Sequence, residues 1–311
     1  MNSPVYDVII IGSGPAGMTA GIYAVRAGMK VLVIENKGPG GQVSLTSTIQ
    51  NYPGVGEIEG FLLGQKMWEQ MSALGVETQF LTVDKINFDT TPKQVVAEGV
   101  TFRAPSIILS MGASSRGLGL ANEKRFVGKG LSYCAVCDGM LYKNKNVVVV
   151  GGGNTAVEDA LYLSNIVGHL TVVHRRDKFR ADEVEVQRLL NKQQQSGNID
   201  LKMGFVVSAL IGNEHIEKVE LRNLATNENV VLDVDGVFVA IGRSPQTELL
   251  DGRITLDAQG YIITDENMAT NISGVYAAGD IVHKNLRQIV TAISDGAIAG
   301  TQASIYAKKN R

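Results

Sequence analysis

Val5-Tyr6-Asp7-Val8-Ile9-Ile10-Ile11-Gly12-Ser13-Gly14-Pro15-Ala16-Gly17 is the stretch that decides the fold. Val5–Ile11 reads as a buried strand, because an apolar run without polar alternation suits burial on both faces. Gly12 and Gly14 let a backbone turn tightly and approach a pyrophosphate, and Gly17 lets the next helix lie close to the strand. Ser13, Pro15 and Ala16 complete that turn. Met18–Ala27 reads as the helix, ended by Gly28. Val31–Ile34 is the second strand, closed by Glu35. Glu35 stands 23 residues after Gly12, where a carboxylate accepts from a ribose diol and repels a 2′-phosphate.

The unit recurs. Val147–Val150 reads as a strand, Gly151-Gly152-Gly153-Asn154-Thr155-Ala156 as its turn, Val157–Ile166 as the helix and Leu170–Val173 as the second strand. Gly151 follows Gly12 by 139 residues, too far for one fold, so two nucleotide-binding folds and two nucleotides are expected. At the place of Glu35 the second unit carries His174-Arg175-Arg176, with Arg180 close behind. Guanidinium forks suit phosphate oxygens, so this site is expected to take NADPH over NADH. His174 reads equally as a phosphate contact or a surface residue.

Working outward, Gly38–Gly60 is Gly-rich and irregular. Phe61–Leu74 reads as a helix with Trp68 on its apolar side. Gln79–Asn87, Gln94–Val96 and Thr101–Phe102 read as short antiparallel strands, and Ala104–Ser110 as another buried strand. Leu201–Lys202, Val206–Ile211, Ile216–Arg222 and Val230–Asp233 read as a second small set, followed by the strand Val237–Ile241. Gly274–Gly279 is a short strand capped by Asp280, whose carboxylate suits a ribitol hydroxyl or an ordinary cap. A long helix of small residues, Gln288–Lys308, closes the chain.

At 311 residues with 44% apolar and 19% charged residues, the chain suits two ordinary globular domains. A net charge of −2 argues against nucleic-acid or membrane-surface partners. The N-terminus Met1-Asn2-Ser3-Pro4 has no basic run ahead of an apolar core, so a cytoplasmic location is the default expectation. Two Cys without a neighbouring His are too few for a structural zinc site, and no metal is expected.

Those two are Cys134 and Cys137, one helical turn apart and close enough to bond. In a reducing compartment such a pair is more often redox-active than structural; two inert core residues are the alternative. A Cys134 that opens a helix would have its thiolate favoured. Asp138 follows directly, placed either to give a proton to a departing thiolate or to cap a helix.

The chain resembles the low-molecular-weight thioredoxin reductases of bacteria over nearly its full length. The resemblance rests on Gly12–Gly17, Gly40-Gly41-Gln42, Cys134-Ala135-Val136-Cys137-Asp138-Gly139, Gly151–Ala156 with Glu158, His174-Arg175-Arg176 with Phe179-Arg180-Ala181, Gly279-Asp280 and Arg287-Gln288. It implies an α/β protein of two Rossmann-like three-layer nucleotide-binding domains, each with a small antiparallel β element. Residues 1–114 and 245–311 would form the FAD domain, and 115–244 the NADPH domain carrying the dithiol. FAD would contact Gly12 to Gly17, Glu35, Gly41, Gln42, Asn51, Asp280, Arg287 and Gln288. Cys137 would face the flavin, Cys134 would attack thioredoxin, and Asp138 would be the acid. The resemblance also implies a homodimer and an NADPH domain that swings between two arrangements. Val136, Pro245-Gln246 and Met111-Gly112-Ala113 depart from its usual pattern away from the reacting atoms. Rival expectations lose ground on the same residues. A ferredoxin-driven reductase would lack the basic patch, and a ferredoxin–NADP reductase would lack the Cys pair. A nucleotide-binding redox sensor without turnover is the rival of another class.

Overall fold

The computed structural model describes residues 5–46 and 49–310. Strand β1 (Val8–Ile11) is buried along its length. Ile9 and Ile11 point into one core, Val8 and Ile10 into another. That is why the run carries no polar alternation, with each such side chain contributing about 1.5–3 kcal/mol on burial. Helix α1 (Pro15–Arg26) starts three residues before the expected Met18. Pro15 occupies its first turn, where proline's fixed φ is already helical and its missing N–H goes unused. Strand β2 (Val31–Glu35), helix α2 (Gly60–Ala73), β3 (Glu77–Phe80), β4 (Val83–Asn87), β5 (Lys93–Ala97), β6 (Val100–Ala104), β7 (Ser106–Leu109) and β8 (Ala113–Ser115) follow.

The middle of the chain holds α3 (Glu123–Phe126), β9 (Leu131–Ser132), α4 (Ala135–Asp138), β10 (Asn146–Val150), α5 (Asn154–Leu163), β11 (His169–His174), α6 (Glu183–Ser196), β12 (Ile199–Met203), β13 (Phe205–Ile211), β14 (Lys218–Asn223), β15 (Asn229–Asp233) and β16 (Gly236–Val239). The chain then returns through β17 (Arg243–Pro245), β18 (Val275–Ala277) and α7 (Ile289–Lys309).

Two compact units result. One takes the N-terminal part through Leu45 with Tyr52–Ser114 and residues 244–310; the other takes Ser115–Arg243 together with Thr46 and residues 49–51. In the first, a parallel sheet runs β18-β7-β1-β2-β3, and β4-β5-β6 form an antiparallel sheet. In the second, a parallel sheet runs β12-β11-β10-β16-β9, and β13-β14-β15 form the antiparallel one. The units repeat one architecture, and β10 again divides its side chains, Val148 and Val150 to one core, Val147 and Val149 to the other.

Two expected strands change partner. The run Gln79–Asn87 splits, because β3 joins the large sheet beside β2 while β4 pairs antiparallel with β5. Leu201–Lys202 belongs to β12, which lies parallel to β11 and not in the small sheet. Helix α6 was not expected at all. Leu189 is its one buried residue, so it carries no apolar stripe, although Glu183 and Glu185 in its first turn and Gly197 past its end mark its limits.

Helices α1 and α7 pack backbone against backbone. A Cβ on Gly300 would lie 2.5 Å from the Ala20 carbonyl oxygen, and one on Gly296 would overlap the Ala16 carbonyl. The small residues of the last helix exist to allow this approach. No helix among the described residues is long and apolar enough to cross a membrane.

Candidate functional site

In the first unit, the glycines at the end of β1 have separate reasons. Gly12 has φ +100°, and a Cβ there would meet the Ser110 carbonyl oxygen at 2.5 Å. A Cβ on Gly17 would collide with the Gly12 carbonyl and lie 2.7 Å from Ser110 Oγ. Gly14 differs, since a Cβ there meets nothing within 4 Å among the described residues. Nothing among the described residues fills the space in front of it. Gly14 is also the cap of α1 and supplies no side-chain acceptor, so the first N–H groups of that helix face outward unclaimed by a cap.

Glu35 sits beside this turn and is more occupied than its sequence position suggests. Its Oε2 accepts from the Ser13 amide at 2.8 Å and from Ser13 Oγ at 3.1 Å. Its Oε1 accepts from the amides of Asn36 and Lys37 at 2.9 and 3.0 Å. Gly40 donates its amide to the Ser13 carbonyl at 2.9 Å, and a Cβ on Gly41 would lie 3.2 Å from Gly14 Cα. The Gly40-Gly41 segment is thus laid over the turn, with Gln42 exposed beside it. Asn51 is exposed as well, and it groups with the second unit.

Gly279, with φ +85°, brings the end of β18 to the same turn, since its Cβ would come 2.8 Å from that of Ala16. Its amide donates to Asp295 Oδ2 at 2.9 Å, and Lys284 forms an ion pair with Asp295. Arg287 holds the Asp280 turn from the other side. Its Nε donates to the Asp280 carbonyl and its Nη2 to the Val282 carbonyl, both at 3.2 Å, while its guanidinium lies 3.9 Å from the centre of the Tyr261 ring. Gln288 caps α7, its amide donating to Thr291 Oγ1 at 3.1 Å in a capping box. Tyr261, Lys284 and Asp295 were not expected from sequence; only the fold brings them to Gly279 and Asp280.

In the second unit, Gly151 and Gly152 are closed in. A Cβ on Gly151 would lie 2.7 Å from that of Ala156, and one on Gly152 would strike the His174 ring. Gly153 has nothing within 4 Å among the described residues and caps α5 without a side-chain acceptor, repeating Gly14. The segment after β11 folds back over this turn. The Arg180 amide donates to the Gly152 carbonyl at 2.7 Å. The Asp182 amide donates to Asn154 Oδ1 at 2.8 Å, and Asn154 Nδ2 donates to Asp182 Oδ2 at 3.0 Å. This latch surrounds the turn with Arg175, Arg176 and Arg180, all exposed and in no ion pair with a carboxylate among the described residues. Thr155 is exposed beside them and Ala156 is buried.

His174 is not at the surface. It is 5% exposed, lies under Gly152 and stacks on Phe179 with ring centres 5.8 Å apart. Burial first, and the three arginines after it, push its pKa down, so it packs as a neutral ring. The alternating direction of side chains along β11 turns it inward, where Arg175 turns out.

Cys134 and Cys137 are joined in a disulfide with Cα atoms 5.3 Å apart. Cys134 is the cap of α4, and the Cys137 amide donates to its Sγ at 3.2 Å. That donor favours a thiolate on Cys134 once the bond is reduced. Tyr133, just before Cys134, is anchored by its hydroxyl on Glu123 Oε1 at 2.7 Å. Asp138 is buried, and its Oδ2 accepts from Ser132 Oγ at 2.6 Å. Burial pushes its carboxyl above the ordinary carboxylate range, with the Ser132 hydrogen bond pulling the other way. An acid raised in this way keeps its proton to higher pH, which is what donation to a thiolate requires.

Two glycine turns of nucleotide-binding form and one disulfide with an adjacent buried acid meet a single family description. The model of the pyridine nucleotide-disulphide oxidoreductases matches residues 6–296. The chain belongs to the pyridine nucleotide-disulphide oxidoreductase family. A thioredoxin reductase from Peptoclostridium acidaminophilum is 42% identical over 313 residues, covering 98% of each chain. The crystal structure of a thioredoxin reductase from Streptococcus pyogenes is 40% identical with a TM-score of 0.91, covering 99% of this chain and 100% of that one. A thioredoxin reductase from Giardia duodenalis is 34% identical with a TM-score of 0.90, over 98% and 99%. These oxidoreductases share this chain's α/β architecture and parallel sheets.

Proposed function

We propose that this protein is an NADPH-dependent thioredoxin-disulfide reductase that carries FAD. The observation that supports it most is the Cys134–Cys137 disulfide with Asp138 beside it, a carboxyl whose pKa burial raises, in the unit that also bears the turn followed by Arg175, Arg176 and Arg180. The family match and the thioredoxin reductases similar over nearly the whole chain support the same reading.

FAD would be held by Gly12, Ser13, Gly14, Pro15, Ala16, Gly17, Glu35, Gly41, Gln42, Asn51, Asp280, Arg287 and Gln288, in a domain of residues 1–114 and 245–311. The open side of Gly14 and the uncapped start of α1 fit a pyrophosphate. NADPH would be held by Gly151, Gly153, Asn154, Thr155, Ala156, Arg175, Arg176 and Arg180, with His174 beneath, in a domain of residues 115–244. FAD when bound supplies the chemistry that passes a hydride's electrons to a disulfide. The chain's own residues do the rest. Cys137 would be the sulfur that exchanges electrons with the flavin. Cys134, steadied by the Cys137 amide, attacks the thioredoxin disulfide, and Asp138 gives the departing sulfur a proton. A homodimer in the cytoplasm completes the reading.

The test is thioredoxin turnover by Cys134→Ser and Cys137→Ser. Both are expected to lose it while the flavin band still bleaches with NADPH. Turnover at the wild-type rate by either variant refutes the assignment.

A further inference from the structure

Ser132 closes β9, two residues before Cys134, and is 5% exposed. Its Oγ donates to Asp138 Oδ2 at 2.6 Å and accepts from the Cys134 amide at 3.1 Å. The Cys134 carbonyl oxygen is a longer contact at 3.3 Å. A hydroxyl has one proton to give. At 2.6 Å the contact with Asp138 is much the shorter of the two, so the hydroxyl proton points at Asp138 while the Cys134 amide fixes the oxygen.

The two oxygens of Asp138 are therefore unequal. Oδ2 is held by Ser132, while Oδ1 is buried with no hydrogen-bond partner among the described residues. An unpaired buried oxygen is a poor place for negative charge and the better place for a proton.

We propose that Ser132 is a positioning residue for proton delivery: its hydroxyl, fixed by the Cys134 amide, holds Oδ2 of Asp138 and leaves Oδ1 as the oxygen that carries the proton. The inference rests on the reductase reading above. In the step concerned, the Cys134 thiolate bonds to one sulfur of the acceptor disulfide and the acceptor S–S bond breaks. The leaving sulfur takes the electron pair and then the proton from Oδ1, so one acceptor sulfur is reduced while Cys134 is held in a mixed disulfide with the other. Cys137 then breaks that mixed disulfide to re-form the Cys134–Cys137 bond and release the reduced acceptor. The carboxylate left behind keeps the Ser132 hydrogen bond until solvent returns a proton.

The titratable groups on the elements packed around α4 are Tyr142 just after it, Glu158, Asp159 and Tyr162 on α5, and Asp235 ahead of β16. Lys145 lies over the Tyr142 ring at 5.6 Å. Tyr142 is the one whose proton registers the Asp138 charge. For Asp138 itself the influences are burial and Ser132.

The experiment follows the carboxylic acid C=O stretch of Asp138 by infrared difference against pH in the FAD-loaded protein. Loss of the band in Asp138→Asn identifies it. In Ser132→Ala its midpoint is expected to rise by about one pH unit, the effect of losing one charge-assisted hydrogen bond. Single-turnover reoxidation by thioredoxin at pH 7 is expected to slow about tenfold, with flavin reduction by NADPH unchanged. Ser132→Thr keeps the hydroxyl and is expected to restore both. An alanine midpoint equal to wild type, or a threonine variant that matches alanine, overturns the proposal. If the wild-type protein does not reduce thioredoxin, the reductase reading falls, and the infrared midpoints still decide the role of Ser132.

Discussion

Gly300→Ala and Gly14→Ala place the same methyl group on two glycines and are expected to fail in opposite ways. At Gly300 the new Cβ stands 2.5 Å from the Ala20 carbonyl oxygen, about 0.9 Å short of ordinary contact at 3.4 Å. That oxygen is backbone within α1, and Ala20 is fully buried, so the gap opens only if the two helices part. Overpacking of this kind costs about 1–3 kcal/mol. Replacing a helical glycine by alanine returns about 1 kcal/mol, leaving a net loss near 1 kcal/mol or somewhat more. For a unit of this size that lowers the melting temperature by about 2–6 °C. At Gly14 the Cβ meets nothing in the chain and the backbone is extended, so the apoprotein should melt within about 2 °C of wild type. The same methyl stands where a pyrophosphate would approach, so FAD retention should fall sharply. Differential scanning of the apoproteins, with flavin content of the proteins as purified, checks both. A Gly300→Ala protein that melts at or above wild type, or a Gly14→Ala protein that keeps its full flavin, refutes the reasoning.

Asp138→Asn is expected to cut thioredoxin turnover by about 10²–10⁴-fold, with the flavin still reduced by NADPH. Because burial raises the carboxyl's folded pKa, wild-type turnover should fall as pH rises through that value, and a pH profile of single-turnover reoxidation shows the limb. The same raised pKa means that the folded state holds the proton more tightly than the unfolded chain. The stabilisation is complete below the unfolded value of ~3.9 and is lost as pH rises through the folded one; urea midpoints that are pH-independent relative to Asp138→Asn contradict it. Arg175→Ala with Arg176→Ala should raise the KM for NADPH by about 10²–10⁴-fold and leave NADH almost untouched, since each of the two lost phosphate contacts weakens binding by roughly 1.5–3 kcal/mol. Steady-state kinetics with both cofactors decides.

Both glycine turns were legible because each signal was local. An unbroken apolar run, a glycine cluster and a charge at fixed spacing all fall within about 25 residues, where the helix start and the strand ends are set by neighbours in sequence. What was not legible depended on distant partners. The run 77–87 has strand character throughout, and nothing in it says that β3 pairs with β2 while β4 pairs with β5. Helix α6 hides because one buried leucine makes no periodicity. His174 sits among cations in sequence, yet strand alternation turns it under Gly152. Glu35 was expected to wait for a ribose, but it also pins Ser13 and the start of its own loop. Ser132 carries no signal in sequence, because its partner Asp138 is brought onto it only by the turn through the cysteines.

The first unit is assembled from both ends of the chain, and this sets an order for its making. Strand β18 pairs with β7, and α7 lies along α1 through Gly296 and Gly300. Until those last segments emerge from synthesis, β7 keeps an open edge and α1 lacks its partner surface. Residues 115–243, the bulk of the second unit, are contiguous by contrast and emerge before the last segments of the unit that encloses them in sequence. At ~5–20 residues per second, the 66 residues from 243 to 309 take about 3–13 s. The unit made first is finished last, and the glycine turn at Gly12–Gly17 waits through that interval for the helix that will press against it.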